Sequence, residues 1–238
     1  MKTIGLLGGM TYYSTVLYYT QINARIHGAR GGSNAASIIL HSFDFGEMGA
    51  LLAAGSWDAV ATKFIGAAQH MKAAGAQGIA IGCNMGHAVA KELGAGVGLP
   101  VLHIADFTAQ AVRERGWKKV ALVATKSTME GDFISGPLRA QARVEVLVPN
   151  QADRDAIDHI LFNELALGGV VKRETKEKIK RIVNDLIDQG AEGIVLACTD
   201  LQFAINPEEV SVPVLDTLEL HTTGLADWAL DEGERGAH

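Results

Sequence analysis

Short runs of Ile, Val and Leu alternate along the chain with longer stretches in which apolar residues recur every three or four positions. Inside the short runs, apolar and polar residues do not alternate. That is the pattern of strands covered on both faces in a parallel sheet. It predicts strands over residues 3–7, 36–41, 78–82, 101–103, 119–124, 144–148, 193–197 and 214–215. Helical periodicity covers 14–27, 57–74, 112–115, 153–165 and 175–189, and the segment 216–230 reads as a closing helix. The charge-rich stretch 172–181, with Glu164 before it, fits a solvated helix face.

The pattern repeats. Residues 73–84 read AAGAQGIAIGCN and residues 188–199 read DQGAEGIVLACT, with five of twelve positions identical, among them Gly78/Gly193, Ile79/Ile194 and Cys83/Cys198. Leu99-Pro100-Val101-Leu102 recurs as Val212-Pro213-Val214-Leu215, its Pro 17 residues after the first Cys and 15 after the second. Upstream, Ile4-Gly5-Leu6-Leu7 matches Val120-Ala121-Leu122-Val123, with Ile4 75 residues before Ile79 and Val120 74 before Ile194. Chance likeness between two α/β segments accounts for one such landmark, whereas three at matched spacing favour a duplicated unit. The predicted fold is therefore α/β with two pseudo-symmetric domains, each a mostly four-stranded parallel sheet flanked by helices, with the active site in the interdomain cleft. Expected boundaries are 1–105 for the first domain, with helix 216–230 packing back on it, 106–215 for the second, and 231–238 for a flexible polar tail.

Composition narrows the function. The chain has 238 residues, 48% of them hydrophobic and 20% charged, with a net charge of -6, which excludes a disordered chain and gives no basic stripe for nucleic acid. No apolar run approaches the ~18 residues of a membrane span, and the opening Met1 to Gly9 suits a buried strand better than a signal peptide. A small-molecule ligand, no membrane or nucleic-acid partner, and a cytoplasmic setting with reduced thiols are the expectations.

The two cysteines, Cys83 and Cys198, sit at equivalent carboxyl ends of equivalent strands, the edge at which open α/β sheets bind ligands. Each precedes what reads as a helix start, where free N–H groups and the helix dipole favour a thiolate. Either one alone fits a small buried filler. Matched in both repeats, they fit an acid and a base on opposite sides of a carbon atom, with sulfurs roughly 7 Å apart and reacting atoms about 3 to 3.5 Å from the carbon. One thiolate would remove a proton while the other thiol delivers one, inverting configuration. Asn84 and Thr199, next to the cysteines, offer polar contacts, and the Gly8-Gly9-Met10-Thr11 loop can bring backbone donors to an anion. Thr125, Ser127 and Thr128 can hold a carboxylate, or can merely cap a helix, Ser127-x-x-Glu130 having the form of a capping box. His87, His103 and His221 lack metal-site spacing, so no metal is predicted; His87, four residues after Cys83, is a possible assistant to that thiol.

Cys83-Asn84 with His87, Ala197-Cys198-Thr199-Asp200, the opening Ile4 to Thr11, Leu102-His103-Ile104-Ala105-Asp106, and Thr125 with Thr128-Met129-Glu130-x-Asp132-Phe133 together resemble the cofactor-independent aspartate/glutamate racemase family, its aspartate racemase branch above all. The resemblance runs to about Leu230. It implies an amino-acid racemase with no pyridoxal phosphate or other cofactor, two cysteines as opposing acid and base, and a homodimer. By position, Met10, Thr11, Asn84, Thr125, Thr128 and Thr199 match substrate-contacting loops. The chain departs from that branch at Met85, where a Thr is usual, and at Asp200, where Glu is usual. It also has no Arg in 43–48 and no Lys in 165–167, the cations that serve an aspartate side chain. It looks closer to broad-specificity racemases. Two rival expectations are a non-catalytic solute-binding module and a related isomerase or decarboxylase of small carboxylic acids.

Overall fold

The computed structural model describes residues 1–167 and 171–231. Of the expected tail, all but Asp231 lies outside the described residues. The chain divides into two compact units, one comprising Met1–His103 with the chain from His221 onward, the other Ile104–Leu220. No helix among the described residues is long and apolar enough to cross a membrane.

In the first unit, β1 (Ile4–Gly8), α1 (Tyr12–Arg30), β2 (Ile38–Ser42), α2 (Phe45–Ala53), α3 (Trp57–Ala73), β3 (Gly78–Ile81) and α4 (Ala90–Val97) build a parallel sheet of order β2-β1-β3. In the second, α5 (Ile104–Arg115), β4 (Lys119–Ala124), α6 (Lys126–Glu130), α7 (Asp132–Pro137), β5 (Glu145–Leu147), α8 (Gln151–Asn163), α9 (Arg173–Asp188), β6 (Gly193–Ala197) and β7 (Val214–Asp216) give a parallel sheet of order β5-β4-β6-β7. The closing helix, α10 (Thr217–Leu230), follows β7 directly. Strands β1, β3 and β6 are buried along their whole length, which explains their unbroken apolar sequences.

The sequence repeat is a repeat of hydrogen bonds. Gly5 pairs with Ile79 in one unit and Ala121 with Ile194 in the other. The Ile79 N–H donates to the Pro100 carbonyl (2.9 Å) and the Ile194 N–H to the Pro213 carbonyl (3.0 Å). Gly75 and Gly190 take φ of 103° and 95° after their helices, a conformation that favours glycine. The first sheet falls short of the expected four strands. Its fourth member is a single parallel bridge between Ile79 and Val101, because the chain enters α5 at Ile104, whereas β7 keeps pairing as far as Asp216.

Helix α9 buries Thr175, Ile179, Ile182, Val183 and Leu186 and turns its Lys and Glu residues outward, while Arg181 pairs with Asp153 of α8 and with Asp185. Gly78 and Gly193 have a packing role, since a Cβ there would lie 2.8 Å from the Trp228 ring and 2.4 Å from the Trp117 ring. Gly193→Ala is therefore expected to lower stability by about 1 to 3 kcal/mol. Gly28→Ala, at a position in α1 with nothing within 4 Å of the new methyl, should instead gain up to about 1 kcal/mol. Urea titration of both variants checks the pair.

Candidate functional site

The site residues collect at the carboxyl edges of neighbouring strands, because the register ends β1 beside β3 and β4 beside β6. In the first unit the Gly82 N–H donates to the Leu7 carbonyl (2.8 Å), so Gly8 to Thr11 and Cys83-Asn84 leave the sheet side by side. Gly9 has φ 87°, and a Cβ there would lie 2.2 Å from the Phe43 carbonyl oxygen, so the turn admits no side chain. The loop is braced through Thr15, whose Oγ1 accepts from the Gly9 N–H (2.8 Å) and donates to the Thr11 carbonyl (3.0 Å). Met10 and Thr11 are buried, and Thr11 begins α1 without a side-chain capping bond.

Cys83 and Cys198 form no disulfide among the described residues and are both partly exposed, unlike the strand residues that precede them. Neither opens an α-helix. Cys83-Asn84 leads into the 3₁₀ turn Met85–Val89, and Cys198 to Asp200 into the 3₁₀ turn Leu201–Phe203, whose Leu201 N–H donates to the Cys198 carbonyl (3.1 Å). This corrects the expected helix starts. Turns of five and three residues hold few aligned peptides, so any stabilisation of a thiolate here rests on individual N–H groups and not on a macrodipole. Asn84, Thr199 and Asp200 are buried beside the cysteines, as is Met85.

In the second unit Ala124 pairs with Ala197, so the segment that begins at Thr125 emerges next to Cys198. Three hydroxyls converge there: Thr125 Oγ1 lies 2.8 Å from Thr128 Oγ1 and 3.5 Å from Ser127 Oγ. The expected capping box does not form. Thr125 is the residue that opens α6, Ser127 already lies inside the helix, and Glu130 is drawn to Arg154 (3.1 Å). Lys126 points its ammonium at Asp155 (2.6 Å).

The three histidines, far apart in sequence, come together in the first unit. The His87 ring centroid lies 4.3 Å from that of His103 and 5.7 Å from that of His221. His221 Nε2 faces the Leu102 carbonyl (2.8 Å) and must donate, so its Nδ1 accepts from the Tyr18 hydroxyl (2.8 Å). Burial lowers the His221 pKa to about 3. His87 donates from Nε2 to the Ile81 carbonyl (3.3 Å) and its Nδ1 has no hydrogen-bond partner among the described residues; burial, with His103 and His221 alongside, holds its pKa well below the usual value. His87 is therefore a neutral interior ring bonded to the strand before Cys83. Among the described residues no group of His, Cys, Asp and Glu is arranged to hold a metal ion.

Asp216 was missed in the sequence, although the repeat points to it: it occupies the position after Val214-Leu215 that His103 occupies after Val101-Leu102. It ends β7, beside β6, and burial raises its pKa to about 6, helped by Glu219 and opposed by the Leu218 N–H.

A sequence profile of the Asp/Glu/hydantoin racemases matches residues 7–225. The chain is 40% identical to an Asp/Glu racemase candidate of known structure from Yersinia pestis, with a TM-score of 0.89, covering 97% of this chain and 100% of the other. It is 34% identical to an aspartate racemase homologue from Pyrococcus horikoshii OT3, with a TM-score of 0.78 and the same coverage. A broad specificity amino-acid racemase of Bacillus subtilis (strain 168) is 21% identical over 160 residues, 67% of this chain and 68% of that protein.

The raised pKa of Asp216 makes folding favour its protonated form. Stability is then lost as pH rises from the unfolded carboxyl value near 3.8 to about 6, and the loss levels off above that. Asp216→Asn removes this dependence while keeping an acceptor for the Leu218 N–H. Its advantage over the parent protein should be near zero at pH 4 and grow to at most about 3 kcal/mol above pH 6. Thermal unfolding of both proteins across that range checks the sign.

Proposed function

Because the chain belongs to the Asp/Glu/hydantoin racemase family, its match spanning residues 7–225, and is by that membership an amino-acid racemase, we propose that it inverts the Cα of a free amino acid by proton transfer between Cys83 and Cys198, without pyridoxal phosphate. The observation that carries this reading is the pair of partly exposed thiols at repeat-equivalent ends of β3 and β6. A filler would be as buried as the strand residues before it.

The chemistry asks for three things. A thiolate must take the Cα proton from one face while the second thiol, on the other face, supplies a new one, each about 3 to 3.5 Å from the carbon. The negative charge that develops spreads into the substrate carboxylate, so donors must wait there in advance. The converging hydroxyls of Thr125, Ser127 and Thr128 and the backbone of the Gly8 to Thr11 turn supply them, and Asn84 and Thr199 are placed beside the thiols to orient the substrate's polar groups. The roles of the cysteines exchange with the direction of reaction. Thiols with this task must stay reduced, which fits the cytoplasm. The reading includes a homodimer.

The same edges indicate the substrate class. No lysine or arginine occupies the short loops between the carboxyl ends of the strands and the elements that follow them, and Lys126, the first residue of α6, is held by Asp155, whereas Asp44 follows β2, Asp200 follows β6 and Asp216 ends β7. A second carboxylate on the substrate would find no unpaired cation in these segments of either unit, and a carboxyl group in each. The substrates are therefore amino acids with uncharged side chains, a preference in keeping with the broad specificity of the Bacillus relative.

Incubation of the protein with each L-amino acid in D2O, followed by mass spectrometry and chiral analysis, tests both points. Neutral amino acids should take up deuterium at Cα with kcat/KM at least about tenfold above that for aspartate. Cys83→Ala and Cys198→Ala should each lower racemisation by about 10² or more; racemisation that survives either change overturns the assignment. Release of CO2 or cis-trans isomerisation would instead identify a related enzyme of small carboxylic acids, and thermal stabilisation by an unchanged ligand a binding module.

A further inference from the structure

The second unit leaves open a place that the first unit fills. In both, a helix runs into the strand that leads to a cysteine: α3 before β3, and α9 before β6. In the first unit the chain between Cys83 and Pro100 forms α4, which packs on α3 so closely that a Cβ on Gly96 would lie 2.8 Å from Ile65. The equivalent chain between Cys198 and Pro213 forms only the 3₁₀ turns Leu201–Phe203 and Pro207–Glu209. Between these turns and α9 lies a pocket of about 370 Å³, within the range of small-molecule sites. Its apolar wall includes Val183, Ile205 and the Phe203 ring, which is 47% exposed and is the one large hydrophobic side chain of the second unit exposed among the described residues. The pocket also carries charges of both signs. Lys180 and Glu209 hold each other at 3.1 Å. Lys176 and Glu177, adjacent on α9 and both exposed, make no ion pair or side-chain hydrogen bond among the described residues.

We propose that this pocket is a second amino-acid site, an effector site that takes a zwitterionic amino acid with a large apolar side chain. Its lining includes none of the candidate catalytic or substrate-binding residues. Charge selects the occupant. A phosphate or a nucleotide would meet the two lysines but also Glu177 and Glu209, and a plain hydrocarbon would leave Lys176 and Glu177 unused. A free amino acid offers a carboxylate to Lys176 and an ammonium to Glu177, while its side chain covers Phe203 and Val183. The pocket reaches the candidate site through Gln202, whose side chain lines it and donates from Nε2 to the Thr199 carbonyl (2.6 Å), one residue from Cys198. A ligand that draws Gln202 toward itself frees the peptide beside the thiol, so occupancy of the pocket changes turnover. That effect on rate rests on the racemase reading, whereas the binding does not.

Isothermal titration calorimetry of the full chain with α-methyl-L-phenylalanine tests the site, since this amino acid has no Cα proton and cannot be racemised. It should bind with a dissociation constant below about 1 mM. Phenylpropionate and phenethylamine, which each lack one of its two charges, should bind at least about tenfold more weakly. Lys176→Gln and Phe203→Ala, both at exposed positions, should each weaken binding at least about tenfold while leaving deuterium uptake into alanine without effector unchanged. Saturating effector should change kcat for alanine at least about fivefold in the parent protein and not in these variants. Binding that both variants retain in full overturns the site. A rise in KM alone that persists in Lys176→Gln is competition at the strand edges and overturns it equally. Binding that the variants lose, with no effect on kcat in the parent protein, supports the site and overturns the link through Gln202. If no amino acid takes up deuterium, the racemase reading fails, and calorimetry on the two variants still decides the pocket.

Discussion

In each unit the candidate site residues depend on one parallel pairing. In the first unit it sets Gly5 against Ile79, and in the second Ala121 against Ile194. Each isoleucine lies four residues before its cysteine, so this register carries Cys83 and Cys198 to just beyond their strands, beside the loops that leave β1 and β4. A parallel strand slipped by one residue turns every side chain to the other face. Here the slip is barred by packing, because the repeated glycines, Gly78 and Gly193, sit beneath tryptophan rings with no room for a Cβ. The chemistry at the edge is thus held by apolar contacts at the opposite end of the strand.

How far this was legible follows from burial. β4 and β6 run over the predicted residues, since strands enclosed on both faces tolerate little but apolar side chains. The strand expected at Val101 shrinks to one bridge because the turn into α5 comes two residues later, a limit that local hydrophobicity does not register. α5 itself begins at Ile104, well before the expected 112, because its buried face is built of Ala105, Thr108 and Ala109, residues too small or too polar to give a strong period. α2 escaped notice for a related reason. Gly46 and Gly49 dilute its pattern, and its clearest signal is the Asp44 carboxylate accepting from the Gly46 and Glu47 N–H groups.

The site was legible to different degrees in its two parts. The thiols and the hydroxyls were visible because a repeat marks equivalent positions without knowledge of the fold. The cluster of His87, His103 and His221 was not, since 118 residues separate the second ring from the third and only the return of α10 to the first unit closes that distance. The ring bonded to Ile81 also changes what His87 can do. A neutral imidazole whose N–H is committed to a strand carbonyl can hold that strand in place more readily than it can trade protons with a neighbour.

The two units are alike in topology and unlike in the groups they offer, and the proposed chemistry accounts for the difference. Inversion at Cα exchanges only the face that bears the proton, so the groups that must be equivalent are the acid and the base, the roles proposed for the repeated cysteines. The carboxylate belongs to both enantiomers and has to be held in one way throughout, so its anchors gain nothing from duplication. The first unit accordingly presents a glycine turn, with Gly9 pressed against Phe43, and the second a knot of three hydroxyls at the matching place. The same reasoning covers the remaining mismatch, His103 opposite Asp216 in the repeat. A duplicated fold keeps symmetry where the reaction is symmetric and is free to lose it everywhere else.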